Sequence, residues 1–164
     1  MTLKEKLSEI KMVLLDVDGT MTDGGIYVNM DGSQFKRFHA HDGEGIRRAQ
    51  DAGIIVGIIS AATLAKDLIE SRAKMLGVKR VHAQRSSKVE VAKTWAKELG
   101  LEPNQIAFMG DDIIDLEVMN WCGVAAAPAN AHHSIDASVD IKTIKPGGFG
   151  AVREFLDLLL ESQK

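Results

Sequence analysis

MVLLDVDGT, Met12 to Thr20, opens with an uncharged apolar run, Met12 to Leu15, that stops abruptly on two aspartates and a glycine. A run this short and this apolar reads as a strand buried on both faces, the kind found inside parallel sheets. Two further runs repeat the pattern, Ile54 to Ile59 (IIVGII) and Ile106 to Met109 (IAFM), each ending at a polar residue or a glycine. Between them lie helical patterns over Gly43 to Ala52, Ala65 to Leu76 and Lys88 to Leu99. The last of these carries Val89, Ala92, Trp95, Ala96 and Leu99 on one face. Strands alternating with helices in this way predict an α/β fold, an open parallel sheet with helices on both faces. Two shorter runs, Arg80 to His82 and Gly123 to Ala126, bring the expected strand count to about five.

One segment breaks the alternation. In Asp23 to His39 (DGGIYVNMDGSQFKRFH), IYVN and SQFKRFH flank Met30-Asp31-Gly32, and Asp-Gly is a strong hairpin signal. A β-hairpin is therefore expected between the first strand and the first helix. KPGGFG, Lys145 to Gly150, reads as a flexible glycine-rich segment before a last helix from Ala151 to about Glu161. With no internal repeat and no linker, residues 1–164 are expected to form one domain.

Composition narrows the partners. Of the 164 residues, 45% are hydrophobic and 26% charged, which is ordinary for a globular chain, so neither disorder nor a fibrous repeat is indicated. A formal net charge of -3 gives no basic footprint for nucleic acid. No apolar stretch approaches the roughly 20 residues of a membrane span. One cysteine, Cys122, cannot form an intramolecular disulfide, and MTLKEKLSEI carries charges where a signal peptide needs an apolar run, so a cytoplasmic address is expected. A small molecule is the expected partner.

In an open α/β sheet the ligand crevice lies beyond the carboxyl ends of the strands. Asp16 and Asp18 follow the first apolar run, Ser60 the second, and Asp111, Asp112 and Asp115 the third, with Lys88 opening the helix between. Any one of these aspartates has a bland reading as a cap or turn former. Five on one edge repel one another and call for a cation. Magnesium takes oxygen ligands and typically uses one or two carboxylates together with a substrate phosphate. Asp16 and Asp111, one from each of two strand ends, would supply that minimal set. A carboxylate nucleophile suits phosphoryl transfer because it divides a difficult hydrolysis into two steps.

DVDGT at Asp16 to Thr20, Ser60, Lys88 and GDDIID at Gly110 to Asp115 resemble, in order and spacing, the four motifs of the haloacid dehalogenase-like hydrolases. The resemblance implies Asp16 as nucleophile and Asp18 as general acid/base. It makes Ser60, the Ala61 backbone N–H and Lys88 phosphate binders. Asp16, Asp111 and the Asp18 backbone carbonyl become the Mg2+ ligands, and Asp112 and Asp115 supporting carboxylates, with Asp115 orienting Lys88 or metal-bound water. DGTMTDGGIYVNMDG at Asp18 to Gly32, FHAHDGEGI at Phe38 to Ile46 and GGFGAVREF at Gly147 to Phe155 are similar to the small capless branch acting on 3-deoxy-manno-octulosonate 8-phosphate. That branch implies a Rossmann-like core with a protruding hairpin, no cap domain, and a homotetramer in which neighbours complete one another's sites.

One departure bears on substrate: Ser60-Ala61-Ala62 stands where the family usually has Gly-Arg or Gly-Glu after the Ser/Thr. It leaves open a nonulosonic (sialic-type) acid 9-phosphate as an alternative to the octulosonate. A non-catalytic pseudo-phosphatase is the alternative outside enzymes. Asp42 and Arg72 are candidate substrate contacts, with an exposed helix charge as the bland reading of Arg72. The five histidines fall at no recognised zinc spacing.

Overall fold

The computed structural model describes the chain from Met1 to Lys164. Its elements follow in the order α1 (Leu3–Ser8), β1 (Met12–Leu15), β2 (Tyr27–Val28), β3 (Gln34–Phe35), α2 (Ala40–Asp51), β4 (Ile55–Ser60), α3 (Lys66–Met75), β5 (Arg80–Ala83), α4 (Lys88–Leu99), β6 (Ile106–Met109), α5 (Leu116–Trp121), β7 (Val124–Ala127), β8 (Ile141–Lys142) and α6 (Ala151–Ser162). Six strands form one sheet in the order β5-β4-β1-β6-β7-β8, every neighbouring pair parallel. This is the Rossmann-like α/β architecture, and no helix is long and apolar enough to cross a membrane.

Consecutive strand residues point to opposite faces, so each central strand feeds two cores. Val13, Leu15, Val56 and Ile58 join Ile46 of α2, Ile69 of α3 and Phe155 of α6 on one face. Met12, Leu14, Ile59 and Phe108 meet Ala92 of α4 and Val118 of α5 on the other. β1 is buried along its whole length. That double burial is why its sequence shows no polar alternation.

β2 and β3 pair antiparallel outside the sheet, with the Tyr27 and Phe35 rings stacked at 4.8 Å. Their turn is closed by the Asn29 N–H on the Ser33 carbonyl at 2.8 Å. Asp31 reinforces it by accepting from both the Ser33 N–H and the Ser33 hydroxyl.

The sheet has one strand more than the five expected. β8 is a two-residue edge strand, too short to show any periodicity. α1 and α5 were not expected either, each being only six residues long. α2 begins three residues before the expected Gly43, because the His39 ring caps its first turn by accepting from the His41 N–H at 3.2 Å. KPGGFG, expected to be flexible, is instead packed in place. Gly148 N–H donates to the Thr20 carbonyl at 3.2 Å, and Gly147 N–H to Asn130 Oδ1 at 2.9 Å. A Cβ on Gly147 would lie 1.9 Å from the Gly19 carbonyl oxygen. The glycines there permit a close approach between two loops.

Candidate active site

The sheet order reverses at β1, whose neighbours β4 and β6 lead in opposite directions, and ligand crevices in open α/β sheets form at such a point. Leu15 pairs with Met109 at the ends of β1 and β6, and Asp16 N–H donates to the Met109 carbonyl at 2.9 Å. Asp16 and Asp111 are thereby delivered side by side. They line a cavity of about 390 Å3 together with Asp18, Gly19, Ala61 and Asp112. Beyond Asp16 the chain makes one tight turn, closed by the Thr22 N–H on the Val17 carbonyl at 3.0 Å. Gly19 at φ 80° lets the turn pass under Asp111, since a Cβ there would meet Asp111 Oδ2 at 2.0 Å.

Lys88 opens α4 and reaches into the crevice rather than into solvent, its side chain only 4% exposed. Its ammonium bonds Asp16 Oδ1 at 2.7 Å and Asp115 Oδ1 at 2.6 Å. The other Asp115 oxygen accepts from the Asp111 and Asp112 backbone N–H groups at 3.0 and 3.2 Å. Asp115 thus ties the first turn after β6 to Lys88, and Lys88 to Asp16. Lys88 was expected to hold phosphoryl oxygens; here its bonds go to these two carboxylates.

Asp16, Asp111 and Asp115 each offer an oxygen within 4.8 Å of the others. Three carboxylates against one ammonium leave two negative charges uncompensated in a buried place. Burial pushes the Asp16 carboxyl well above its ordinary range, Lys88 offsetting only part of this. Burial, then the charge of Asp115, pushes Asp111 up to about 6. Burial pulls the Lys88 ammonium down, but Asp16 and Asp115 more than reverse it and leave it above its ordinary value. A divalent cation with oxygen ligands answers both the charge and the donor set. Both Asp115 oxygens are already engaged, so Asp16 and Asp111 are the carboxylates free to hold it.

Asp18 was expected to offer a metal only its backbone carbonyl. Its side chain is outside the three-carboxylate group and pairs with the ammonium of Lys36, just after β3. Only its backbone carbonyl remains for a metal. Lys36 had no signal in the sequence, because its contact with Asp18 depends on how the hairpin folds back. Thr22 was missed as well: its hydroxyl accepts from the Gly19 and Gly24 N–H groups at 3.2 and 3.3 Å, a common task for a threonine in a turn. Ser60 ends β4 fully buried and accepts from the Ala62 N–H at 3.1 Å, so it caps no α-helix. Asp112 caps the turn at Ile113–Asp115 by accepting from Ile113 N–H at 2.7 Å.

Asp42 and Arg72 do not line the cavity. Asp42 is buried against the start of α6, where it accepts from the Arg153 N–H at 2.9 Å. It serves as a cap supplied from another helix, a helix end that Gly150 itself cannot cap. Burial raises its carboxyl. Arg72 is not the exposed charge of the bland reading: its Nε is buried without a partner and its guanidinium lies 5.4 Å from the Phe38 ring centre. No histidine joins the carboxylate group. Burial pushes the Cys122 thiol up to about 12, far from a nucleophile's range.

A haloacid dehalogenase-like hydrolase profile matches residues 62–156. The 3-deoxy-D-manno-octulosonate 8-phosphate phosphatase KdsC of Escherichia coli K12 is 39% identical over 158 residues, covering 96% of this chain and 83% of that protein. The crystal structure of the Yersinia pestis 3-deoxy-D-manno-octulosonate 8-phosphate phosphatase superposes with a TM-score of 0.94 at 36% identity, covering 98% of this chain and 86% of the other. The Moraxella catarrhalis phosphatase, solved in complex with a magnesium ion, a phosphate ion and a KDO molecule, gives 0.93 at 34% identity, covering 98% and 91%.

Removing the one ammonium from this buried network leaves all three carboxylates uncompensated. Lys88→Met is expected to cost about 3–5 kcal/mol of folding stability, the range for breaking a buried ion pair from one side. Urea unfolding measures it, and a loss under about 1 kcal/mol would mean that the pair contributes no more than a surface contact.

Proposed function

The chain belongs to the haloacid dehalogenase-like hydrolases, and from that premise we propose that it is a magnesium-dependent phosphatase acting on 3-deoxy-D-manno-octulosonate 8-phosphate through an aspartyl phosphate on Asp16. The observation that carries this reading is the buried Asp16–Lys88–Asp115 chain beside Asp111 at the sheet's switch point. Nothing in a pseudo-phosphatase would require this many buried charges in one crevice. Similarity to KdsC over 96% of the chain supports the substrate.

Each residue takes the role that the resemblance implies and its position supports. An Asp16 oxygen bonds to phosphorus as the bond from phosphorus to the sugar oxygen breaks, and Asp18 gives that departing oxygen its proton. Asp18, now a carboxylate, then takes a proton from water as the water oxygen bonds to phosphorus. The bond to Asp16 breaks, freeing inorganic phosphate and regenerating both residues. Lys88 holds the Asp16 carboxylate in one orientation, and Asp115 holds Lys88. The Ala61 backbone N–H, at the crevice wall, and the Ser60 hydroxyl, buried at the end of β4, are the donors for phosphoryl oxygens. Asp16, Asp111 and the Asp18 carbonyl would hold magnesium. When bound, the ion supplies the positive charge that offsets repulsion between an anionic nucleophile and an anionic phosphoryl group.

A nine-carbon sugar-acid phosphate is the second reading. It is favoured by Ala61 and Ala62, whose small side chains leave the crevice wall without a group to limit substrate length. The single free cysteine fits a cytoplasmic enzyme. The protruding hairpin bears Ile26 at 82% exposure and Met30 fully exposed, with Phe35 half-exposed. Apolar side chains so placed favour a homotetramer whose neighbours cover the open crevices.

Phosphate release from a panel of sugar phosphates tests the activity. The octulosonate 8-phosphate is expected to exceed nine-carbon acids and simple sugar phosphates, with chelation of magnesium abolishing turnover. Asp16→Asn is expected to lower kcat at least about a thousandfold in protein that still folds. A preference for nine-carbon acids would favour the second reading, and retained activity in Asp16→Asn would remove Asp16 as nucleophile. Light scattering is expected to report a tetramer; a stable, fully active monomer would contradict the shared-site assembly.

A further inference from the structure

Past Asp18 the crevice runs on into a second cavity of about 520 Å3, and both spaces are lined by Asp18, Gly24, Ala61 and Ala62. The hairpin contributes Ile26 and Lys36 to the second cavity, the segment after β4 contributes Leu64, and the loop between β5 and α4 contributes Arg85. Two cations line this space and they are not equivalent. The Lys36 ammonium is taken by Asp18, the only carboxylate in the lining. The Arg85 guanidinium forms no ion pair.

The loop that carries Arg85 is built in place. Arg85 N–H donates to Thr63 Oγ1 at 3.3 Å, which joins it to the segment forming the opposite wall. The His82 ring bonds the Ser86 hydroxyl at 2.7 Å, and Ser87 caps α4. The Arg85 backbone is thus held at the edge of the cavity, and its exposed side chain brings five donors unclaimed by any acid.

Chemistry fixes what this space faces. If Asp18 protonates the departing oxygen, that oxygen sits beside Asp18, and the rest of the leaving group extends away from Asp16 into the second cavity. We propose that this cavity is the leaving-group subsite and that Arg85 is its specificity-determining residue, binding the carboxylate of a sugar-acid phosphate. A guanidinium takes a carboxylate through two parallel hydrogen bonds, a geometry an ammonium lacks. Ile26 and Leu64, 82% and 91% exposed, supply apolar area beside it for the carbon skeleton. The subsite explains how a chain with alanine at position 62 can still select an acid: the cation comes from the neighbouring loop. The assignment rests on the phosphatase reading above.

The test is a ratio, kcat/KM for 3-deoxy-D-manno-octulosonate 8-phosphate divided by kcat/KM for the uncharged-sugar substrate glucose 6-phosphate, measured with magnesium in the full chain. Arg85→Gln is expected to lower the ratio about 10- to 100-fold, the worth of a charge-assisted hydrogen-bonded pair, through KM for the acid. Arg85→Lys, which keeps the charge and loses the fork, is expected to recover part of it. Free 3-deoxy-D-manno-octulosonate is expected to inhibit Arg85→Gln more weakly than the unmodified chain by a similar factor. A ratio unchanged in Arg85→Gln, or equal losses on both substrates, would overturn the assignment. An unmodified chain that hydrolyses neither substrate would overturn the phosphatase reading, and the subsite with it.

Discussion

An ammonium group buried between two carboxylates is costly to build and is tolerated only when every partner is in place. Lys88 is that group. It bonds Asp16 from β1 on one side and Asp115, after β6, on the other, and Asp115 in turn holds the backbone of Asp111 and Asp112. Three chain segments that are distant in sequence are locked into one arrangement through a single nitrogen. The charge does not balance within this arrangement, since the carboxylates outnumber the ammonium. The imbalance makes the site a receptor for a divalent cation and, through it, for a phosphate.

The sheet makes the arrangement possible. β1 lies at the reversal of strand order, so the residues after it are flanked on one side by the end of β4 and on the other by the end of β6. Asp16, Ser60 and Asp111 arrive together because of parallel pairing in register, Leu15 with Ile58 and with Met109. Gly19 and Gly147 then let the turn after β1 approach both Asp111 and the loop before α6 more closely than any side chain would allow. The glycine-rich segment is a structural wedge behind the turn that follows Asp16.

Much of this was legible in the sequence. The buried strands announce themselves as uninterrupted apolar runs, and the aspartates that end them follow from the rule that ligands bind at the carboxyl edge. The Asp31-Gly32 turn fixed the hairpin. What was not legible depends on tertiary contact. Lys36 reaches Asp18 only because the hairpin folds back over the crevice. Asp42 resembles a site residue in sequence, and only the packing of α2 on α6 reveals it as a cap for the latter. For Asp115 the resemblance, and not the spacing, pointed to Lys88, and the turn at Ile113–Asp115 is what brings its carboxylate there. β8 and α5 are too short for any periodic signal.

The hairpin links fold to chemistry twice, through Lys36 on Asp18 and through Arg37, whose guanidinium donates to the Gly148 carbonyl at 2.6 Å and lies 4.2 Å from the Phe149 ring centre. One side of the crevice is therefore set by a two-stranded element outside the main sheet. The central claim, that Asp16 carries the phosphoryl group, is tested most directly by acid-quenching the magnesium-loaded protein during turnover of the octulosonate phosphate and mapping the phosphoryl mass by peptide mass spectrometry. The account predicts an acid-stable, base-labile phosphoryl group on the peptide containing Asp16. A phosphoryl group on any other residue, or its absence under conditions where turnover is limited by hydrolysis of the intermediate, would contradict it.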